Sequence, residues 1–303
     1  MKYFLSICIF TAIVTGASGQ QQYMFTQYMF NGLAINPAYA GSHEALSVTA
    51  LSRHQWVGME GAPNTQTLAV HGPIKGKNIA VGGLFVRDQI GVSTNHTFYA
   101  SYAYKIENYT YHLSFGIQGG FSAYNSNLSK VNLSNQDDAS FFANNTTSFL
   151  PNAGIGVYFY LSKFYAGFSI PELFTNRYNR ELARNSAQQV RHYFITMGGV
   201  IPLSRSIKWK PNMMMRLADK STMSIDLSSS LLFNDLIWLG VSYRALESVD
   251  IIFELQVSQY LRFGYAYDIG TSKLSKTNGG SHELVLNYRF HKGAKRLRNP
   301  RHF

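Results

Sequence analysis

"YLRFGYAYDI" (260–269) alternates with a period of two. Leu261, Phe263, Tyr265, Tyr267 and Ile269 share one face, while Tyr260, Arg262, Gly264, Ala266 and Asp268 share the other. Successive side chains of a β-strand point to opposite sides, so this stretch reads as a strand with an apolar and a polar face. "SHELVLNYRF" (281–290) repeats the pattern, setting Leu284, Leu286, Tyr288 and Phe290 against Glu283, Val285, Asn287 and Arg289. "VDIIFELQV" (249–257), "TYHLSFGIQGGFS" (110–122) and "MSIDLSSSLLF" (223–233) alternate alike. The chain is therefore expected to be all-β.

A soluble sandwich alternates too, and the charged positions separate the two architectures. In a membrane barrel, a one-residue slip of register would turn Arg262 and Arg289 toward lipid, at about 2–4 kcal/mol each near the midplane. These residues, with Asp268 and Glu283, are expected to line a polar lumen where charges are hydrated or paired. Aromatic girdles at the two membrane interfaces would account for the 20 tyrosines and 21 phenylalanines. In "MMM" (213–215), Met213 and Met215 are expected to face lipid or a neighbour, with no cofactor implied.

Composition agrees with an exported barrel. "MKYFLSICIFTAIVTGASG" has a basic start, an apolar run and small residues at its end, the pattern of a signal peptide cleaved near Gly19. The only cysteine, Cys8, lies inside that segment, so disulfides, thiol catalysis and thiolate metal sites are not expected beyond it. Only 14% of the chain is charged, and no later stretch supplies the roughly 20 apolar residues of a membrane helix. The net charge of +11 would suit nucleic acid, but no binding motif accompanies it and none is expected as a partner.

Loop lengths give a separate test. About fourteen antiparallel strands fit between residues 45 and 291. Six connections are tight: "PIKGK", "ENY", "SK", "PLSR", "ND" and "SQ". They alternate with seven others: the long ones, 56–63, 89–93, 125–147, 171–189 and 270–280, and two short exceptions near 219–221 and 246–248. Outer-membrane barrels have short periplasmic turns and longer outside loops, and a sandwich has no reason to obey that parity. The loops 125–147 and 171–189 are thus expected outside the cell, with Phe141 and Phe142 as candidate partner contacts.

No catalytic constellation is found. "GFSIP" (167–171) is not a nucleophile elbow, and His282 and Glu283 are strand neighbours that face opposite ways. "NQDD" (135–138) lacks the spaced ligands of a calcium loop. Neither enzyme activity nor a cofactor or metal is expected.

"QYMFNGLAINPAYAGS" (27–42) fits neither the helical nor the strand period. Polar pairs recur every five residues at Gln21-Gln22, Thr26-Gln27, Asn31-Gly32 and Asn36-Pro37, and no Asp, Glu, Lys or Arg occurs between Lys2 and Glu44. Five residues advance about 500° around a helix, so the pairs walk around the axis instead of marking one solvent face. A segment apolar on every side cannot profitably sit in water, and Gly32 and Pro37 interrupt any spanning helix. It is expected in the lumen, at the periplasmic rim or in a partner's groove. Hydroxyls of Tyr23, Tyr28 and Tyr39 would meet Arg262, Asp268, Glu283 or Arg289, and Asn31 and Asn36 would satisfy turns. These readings divide the chain into a signal peptide (1–19), an N-terminal apolar plug or rim segment (20–44), a β-barrel (45–291) and a basic periplasmic tail (292–303). In that tail Lys295, Arg296 and Arg298 are candidate contacts for an acidic partner or anionic headgroups.

"QYMFNGLAINPAYAGS", followed by "RHQWVGMEGAPNTQTL" (53–68) and the closing "RNPRHF" (298–303), resembles the PorP/SprF family of outer-membrane proteins. The resemblance spans the chain after residue 19; His302 departs from it, standing where an aromatic is common. It implies a non-enzymatic outer-membrane barrel of the Bacteroidetes type IX secretion and gliding machinery. The implied partners are other secretion components or the C-terminal sorting domain of a secreted adhesin. The alternative is an outer-membrane channel for small or hydrophobic solutes, since a fold does not separate transport from secretion.

Overall fold

Strands that alternate apolar and polar along their whole length can satisfy every backbone group in a membrane only by closing on themselves. The computed structural model does so. It describes residues 23–127, 146–178, 188–219, 223–271, 275 and 277–290. Fifteen strand segments run in chain order: β1 (Leu46–His54), β2 (Asn64–Pro73), β3 (Ile79–Ile90), β4 (Ser93–Glu107), β5 (His112–Ser126), β6 (Thr146–Tyr160), β7 (Phe164–Ile170), β8 (His192–Gly199), β9 (Ile201–Pro202), β10 (Ile207–Ala218), β11 (Ser224–Phe233), β12 (Ile237–Arg244), β13 (Ser248–Gln256), β14 (Leu261–Gly270) and β15 (Ser281–Phe290). Each pairs antiparallel with its neighbours in sequence, and β15 returns to pair with β1.

β8 and β9 form one strand. Both pair with β10 in a single register, Gly198 opposite Asn212 and Ile201 opposite Trp209. In that register Pro211 falls opposite Gly199, and a proline has no N–H for the ladder. On the other side of the strand the amide of Val200 donates to the Lys163 carbonyl at 2.8 Å, continuing the ladder with β7. The barrel thus has fourteen strands.

The registers fix which side chains meet on each face. Between β13 and β14, Phe253 opposes Tyr265 and Leu255 opposes Phe263 outside, while Asp250 opposes Asp268 inside. Phe85, Phe98 and Phe121 face one another in series across β3, β4 and β5, and Phe149 on β6 stacks on Phe121 at 4.5 Å. All four are exposed, forming part of an aromatic girdle on the outer wall. Inside, Met214 is buried while Met213 and Met215 point outward.

Six short turns lie at the end where β1 begins and β15 ends, which the parity of such barrels makes periplasmic. In the turn between β11 and β12, closed by the Leu236 amide on the Phe233 carbonyl at 3.0 Å, Asn234 and Asp235 take φ 52° and 55°, left-handed values that these residues tolerate. The 89–93 connection differs from expectation. Residues 89–93 are not a long loop: β3 and β4 pair as far as Ile90 opposite Ser93, with only Gly91 and Val92 between them, and Gly91 takes φ 56°.

β5 and β6 run 15 residues each, but β7 has seven. Pairing of β6 with β7 stops at Ile155 opposite Ile170, and the chain then turns into the lumen. The Leu173 amide donates to the Ala153 carbonyl at 2.8 Å, and Gln118 Nε2 donates to the Pro171 carbonyl at 2.9 Å. The start of the connection expected wholly outside is therefore folded into the barrel's outer end, where inward-facing amides capture its backbone.

Candidate functional site in the barrel lumen

Residues 23–45 lie inside the barrel. Of these only Glu44 is exposed. A single helical turn, α1 (Gly32–Ile35), and a 3-10 turn, η1 (Pro37–Tyr39), are joined by the extended Asn36 and flanked by turns. Phe25, Tyr28, Phe30, Leu33, Ala34 and Ile35 share an apolar cluster with Leu51, Leu84, Tyr99, Phe194 and Met214 of the wall. Full burial of one such side chain is worth about 1.5–3 kcal/mol. Wall glycines make room for the segment's backbone. A Cβ on Gly116 would come within 2.1 Å of the Ala38 nitrogen, and one on Gly156 within 2.1 Å of Asn36 Oδ1.

The polar pairs that walked around the axis in sequence reach different staves of the barrel. Glu283 on β15 accepts two successive backbone amides, Thr26 N at 2.9 Å and Gln27 N at 2.7 Å. The Thr26 hydroxyl donates to Asp268 on β14 at 2.9 Å. Asn31 Nδ2 donates to the Thr67 hydroxyl on β2 at 2.9 Å, leaving the cap of α1 without a side-chain bond. Asn36 does two things: its Oδ1 accepts the Ala38 amide, capping η1 at 2.9 Å, and its Nδ2 donates to the Val157 carbonyl on β6 at 3.0 Å.

Arg53 on β1 binds the first of these contacts from the side. Its Nη1 donates to Glu283 Oε2 and to Thr26 Oγ1, both at 3.0 Å, and its Nη2 to Asp268 Oδ2 at 2.5 Å. Arginine and both carboxylates are almost completely buried. In so dry a site each charge is tolerable only because the others compensate it, and removing one partner typically costs about 3–5 kcal/mol. Arg244 and Asp226 continue the network toward β11 and β12, 3.3 Å apart.

The tyrosines expected to meet Arg262, Asp268, Glu283 or Arg289 have these surroundings. The Tyr39 hydroxyl meets His43 Nε2 at 2.9 Å, although Arg262 and Arg289 lie within electrostatic reach of it. Tyr28 is buried beside Ser228 and Tyr165, and Tyr23 packs on Phe25. Thr26 and Gln27, with shorter side chains and free backbone amides, come close enough to the wall to take the acids. The sequence reading missed them and Arg53, although Arg53 shares its parity in "LSVTALSRH" with Ser47, Thr49 and Leu51, which also face inward. Arg262 and Arg289 sit lower, near the periplasmic end. Their Nε groups donate to the Gln256 and Asn287 side-chain oxygens, each at 3.0 Å.

At the outer end the Tyr99 hydroxyl donates to Glu172 at 3.1 Å, and burial pushes the Glu172 carboxyl above its ordinary range. Among the described residues no group of three His, Cys, Asp or Glu side chains stands close enough to hold a metal ion. Phe141, Phe142, Lys295, Arg296 and Arg298 lie outside the described residues, as does the segment 1–19.

A closed antiparallel barrel with an apolar aromatic outer wall and an ionised, filled lumen is an outer-membrane β-barrel. The chain belongs to the type IX secretion system membrane protein PorP/SprF family, which matches residues 17–288. The chain is similar to several solved structures. Omp33 of Acinetobacter baumannii is 9% identical, covers 82% of this chain and 98% of its own, and gives a TM-score of 0.46. The CymD monoaromatic hydrocarbon channel is 11% identical over 87% and 93%, with a TM-score of 0.49. A Pseudomonas aeruginosa FadL homologue is 10% identical over 87% and 94%, also at 0.49. No curated protein matches the chain.

Proposed function

We propose that this protein supports type IX secretion, or the surface anchoring of secreted proteins, by binding other proteins at its rims while residues 20–44 stay in the lumen as a plug. Residues 1–19 serve as its signal peptide. The observation that carries this reading is the occupied lumen. Residues 23–45 are tied to three separate parts of the wall, and Arg53, Asp268 and Glu283 hold them through buried charge. A lumen filled by the chain itself leaves partner contacts to the outer loops, with Phe141 and Phe142, and to the basic tail, with Lys295, Arg296 and Arg298. The partners are secretion components or the C-terminal domain of an adhesin.

Two experiments test it. Deletion of the gene should abolish surface display of one adhesin, or of many secreted proteins, and leave small-solute uptake intact. Normal display with defective uptake would favour the solute channel instead. Removal of residues 21–40, with the signal peptide kept, should give a barrel that still inserts but conducts ions more freely in planar bilayers. Unchanged conductance would refute the plug.

A further inference from the structure

The outer wall changes character abruptly toward the outer ends of β1 to β4. One register row is apolar throughout: Ala50, Leu68, Phe85 and Phe98 face one another in series. Two residues farther out on each strand the row reads Ser52, Gln66, Arg87 and His96, and the next reads His54, Asn64, Gln89 and Thr94. Polar and charged side chains are tolerated on a lipid-facing wall only toward the interface, so the apolar row marks the edge of the hydrocarbon. The two rows beyond it stand at the level of the outer leaflet's headgroups.

Arg87 has no equal on that wall. Among the described residues it is the only Asp, Glu, Lys or Arg at an outward-facing strand position. Its Nη1 donates to Gln66 Oε1 at 2.9 Å and its Nη2 to Gln89 Oε1 at 2.7 Å. Both partners are neutral amides. Asp88, the next residue, points inward and accepts the Thr65 hydroxyl at 2.6 Å. The guanidinium is thus held in place with its charge uncompensated and further N–H groups to offer. Beside it a cleft of about 300 Å³ opens between the outermost row and the 55–63 connection. His54, Gln55, Asn64 and Gln89 give the cleft its polar lining, and Val57 and Met59 an apolar one. Gln89 therefore belongs to both features. The connection itself is anchored on two sides, by the Val57 amide on the Gly280 carbonyl and the Gly91 amide on the Gly61 carbonyl, each at 2.9 Å.

We infer that this face binds the phosphorylated sugar headgroup of a lipid in the outer leaflet. Arg87 takes the phosphate through charge-assisted hydrogen bonds, for which its planar fork is suited. Sugar hydroxyls enter the cleft, where amide and imidazole groups offer both donors and acceptors. The acyl chains lie along Phe85 and Phe98 below. A free anion would use Arg87 alone, whereas the cleft on one side and the aromatic row on the other fit a headgroup joined to hydrocarbon. The inference does not depend on the secretion role, because it concerns the outer wall and not the lumen or the partner contacts at the rims.

Diphosphoryl lipid A and its dephosphorylated form, each added to the full-length protein in neutral detergent micelles, provide the test, with bound lipid read by native mass spectrometry. The phosphorylated lipid should bind about tenfold or more tightly than the other. Arg87→Gln should weaken its binding about tenfold. Gln89→Glu, which sets an acid beside the guanidinium and leaves the arginine in place, should weaken it similarly. Lys75→Gln, on an exposed periplasmic turn, should change affinity by less than about twofold. Heat-modifiable migration in gels checks that each variant is folded. Equal binding of the two lipids, or unaltered binding by folded Arg87→Gln or Gln89→Glu, would overturn the inference. So would displacement of the lipid by an excess of inorganic phosphate, which would assign the guanidinium to a free ion.

Discussion

Arg53 and Glu283 face each other in register across the seam where the first and last strands of the barrel meet, guanidinium to carboxylate at 3.0 Å. The same carboxylate receives the amides of Thr26 and Gln27. Closure of the barrel and docking of the N-terminal segment therefore share one buried ion group.

Arg53→Ala should weaken both at once. Loss of the guanidinium leaves Glu283 and Asp268 buried without their cation, so unfolding in urea should show a destabilisation of about 3–5 kcal/mol. Residues 23–45 should also become accessible to protease. A folded variant of wild-type stability and protease resistance would show that the pair does not act as a latch.

Gly116 offers a way to displace the segment without touching a charge. In Gly116→Val the new side chain meets the backbone of Pro37 and Ala38, which cannot yield as a flexible side chain would. The expected result is an inserted barrel with the N-terminal segment open to proteolysis. Gly119→Val is the control, because nothing stands within 4 Å of a Cβ there and valine suits an outward strand position. Identical behaviour of the two variants would count against close packing of the segment on β5.

Glu172 makes docking of the 171–178 segment depend on pH. Its carboxyl is raised by burial, so the docked state favours the protonated form. That contribution is complete below the ordinary carboxylate range and is lost as pH rises through the raised value. The amides of Leu173 and Phe174, which bond to the Ala153 carbonyl and to Asn152 Oδ1, report on docking. After correction for intrinsic rates, they should exchange hydrogen faster at about pH 8 than at about pH 5. Glu172→Gln should remove the difference; a difference that persists would point to another group.

Topology is open to direct labelling, because Cys8 is the only cysteine of the sequence. An impermeant thiol reagent applied to whole cells should reach Glu60→Cys, on the connection between β1 and β2, but not Ser162→Cys, on the turn between β6 and β7. Both positions are exposed. Labelling of Ser162→Cys alone would invert the barrel.

Much of the architecture was legible in the sequence. The period of two in 249–257, 260–269 and 281–290 determined which residues face lipid and which face inward, because a slip by one residue would put Arg262 and Arg289 into hydrocarbon. Alternation along the chain predicted about fourteen strands, and most loop lengths agreed with their antiparallel order in a barrel. The apolar, uncharged run of 23–43 required burial of the segment, since no face of it suits water. What only the tertiary structure decided is which groups meet inside. Arg53 lies 215 residues from Asp268 and 230 from Glu283, and no local pattern relates them. They meet because barrel closure brings β1 beside β15. Thr26 and Gln27 reach Glu283 through backbone amides at a turn beside the wall. That outcome depends on three-dimensional packing, which periodicity does not encode.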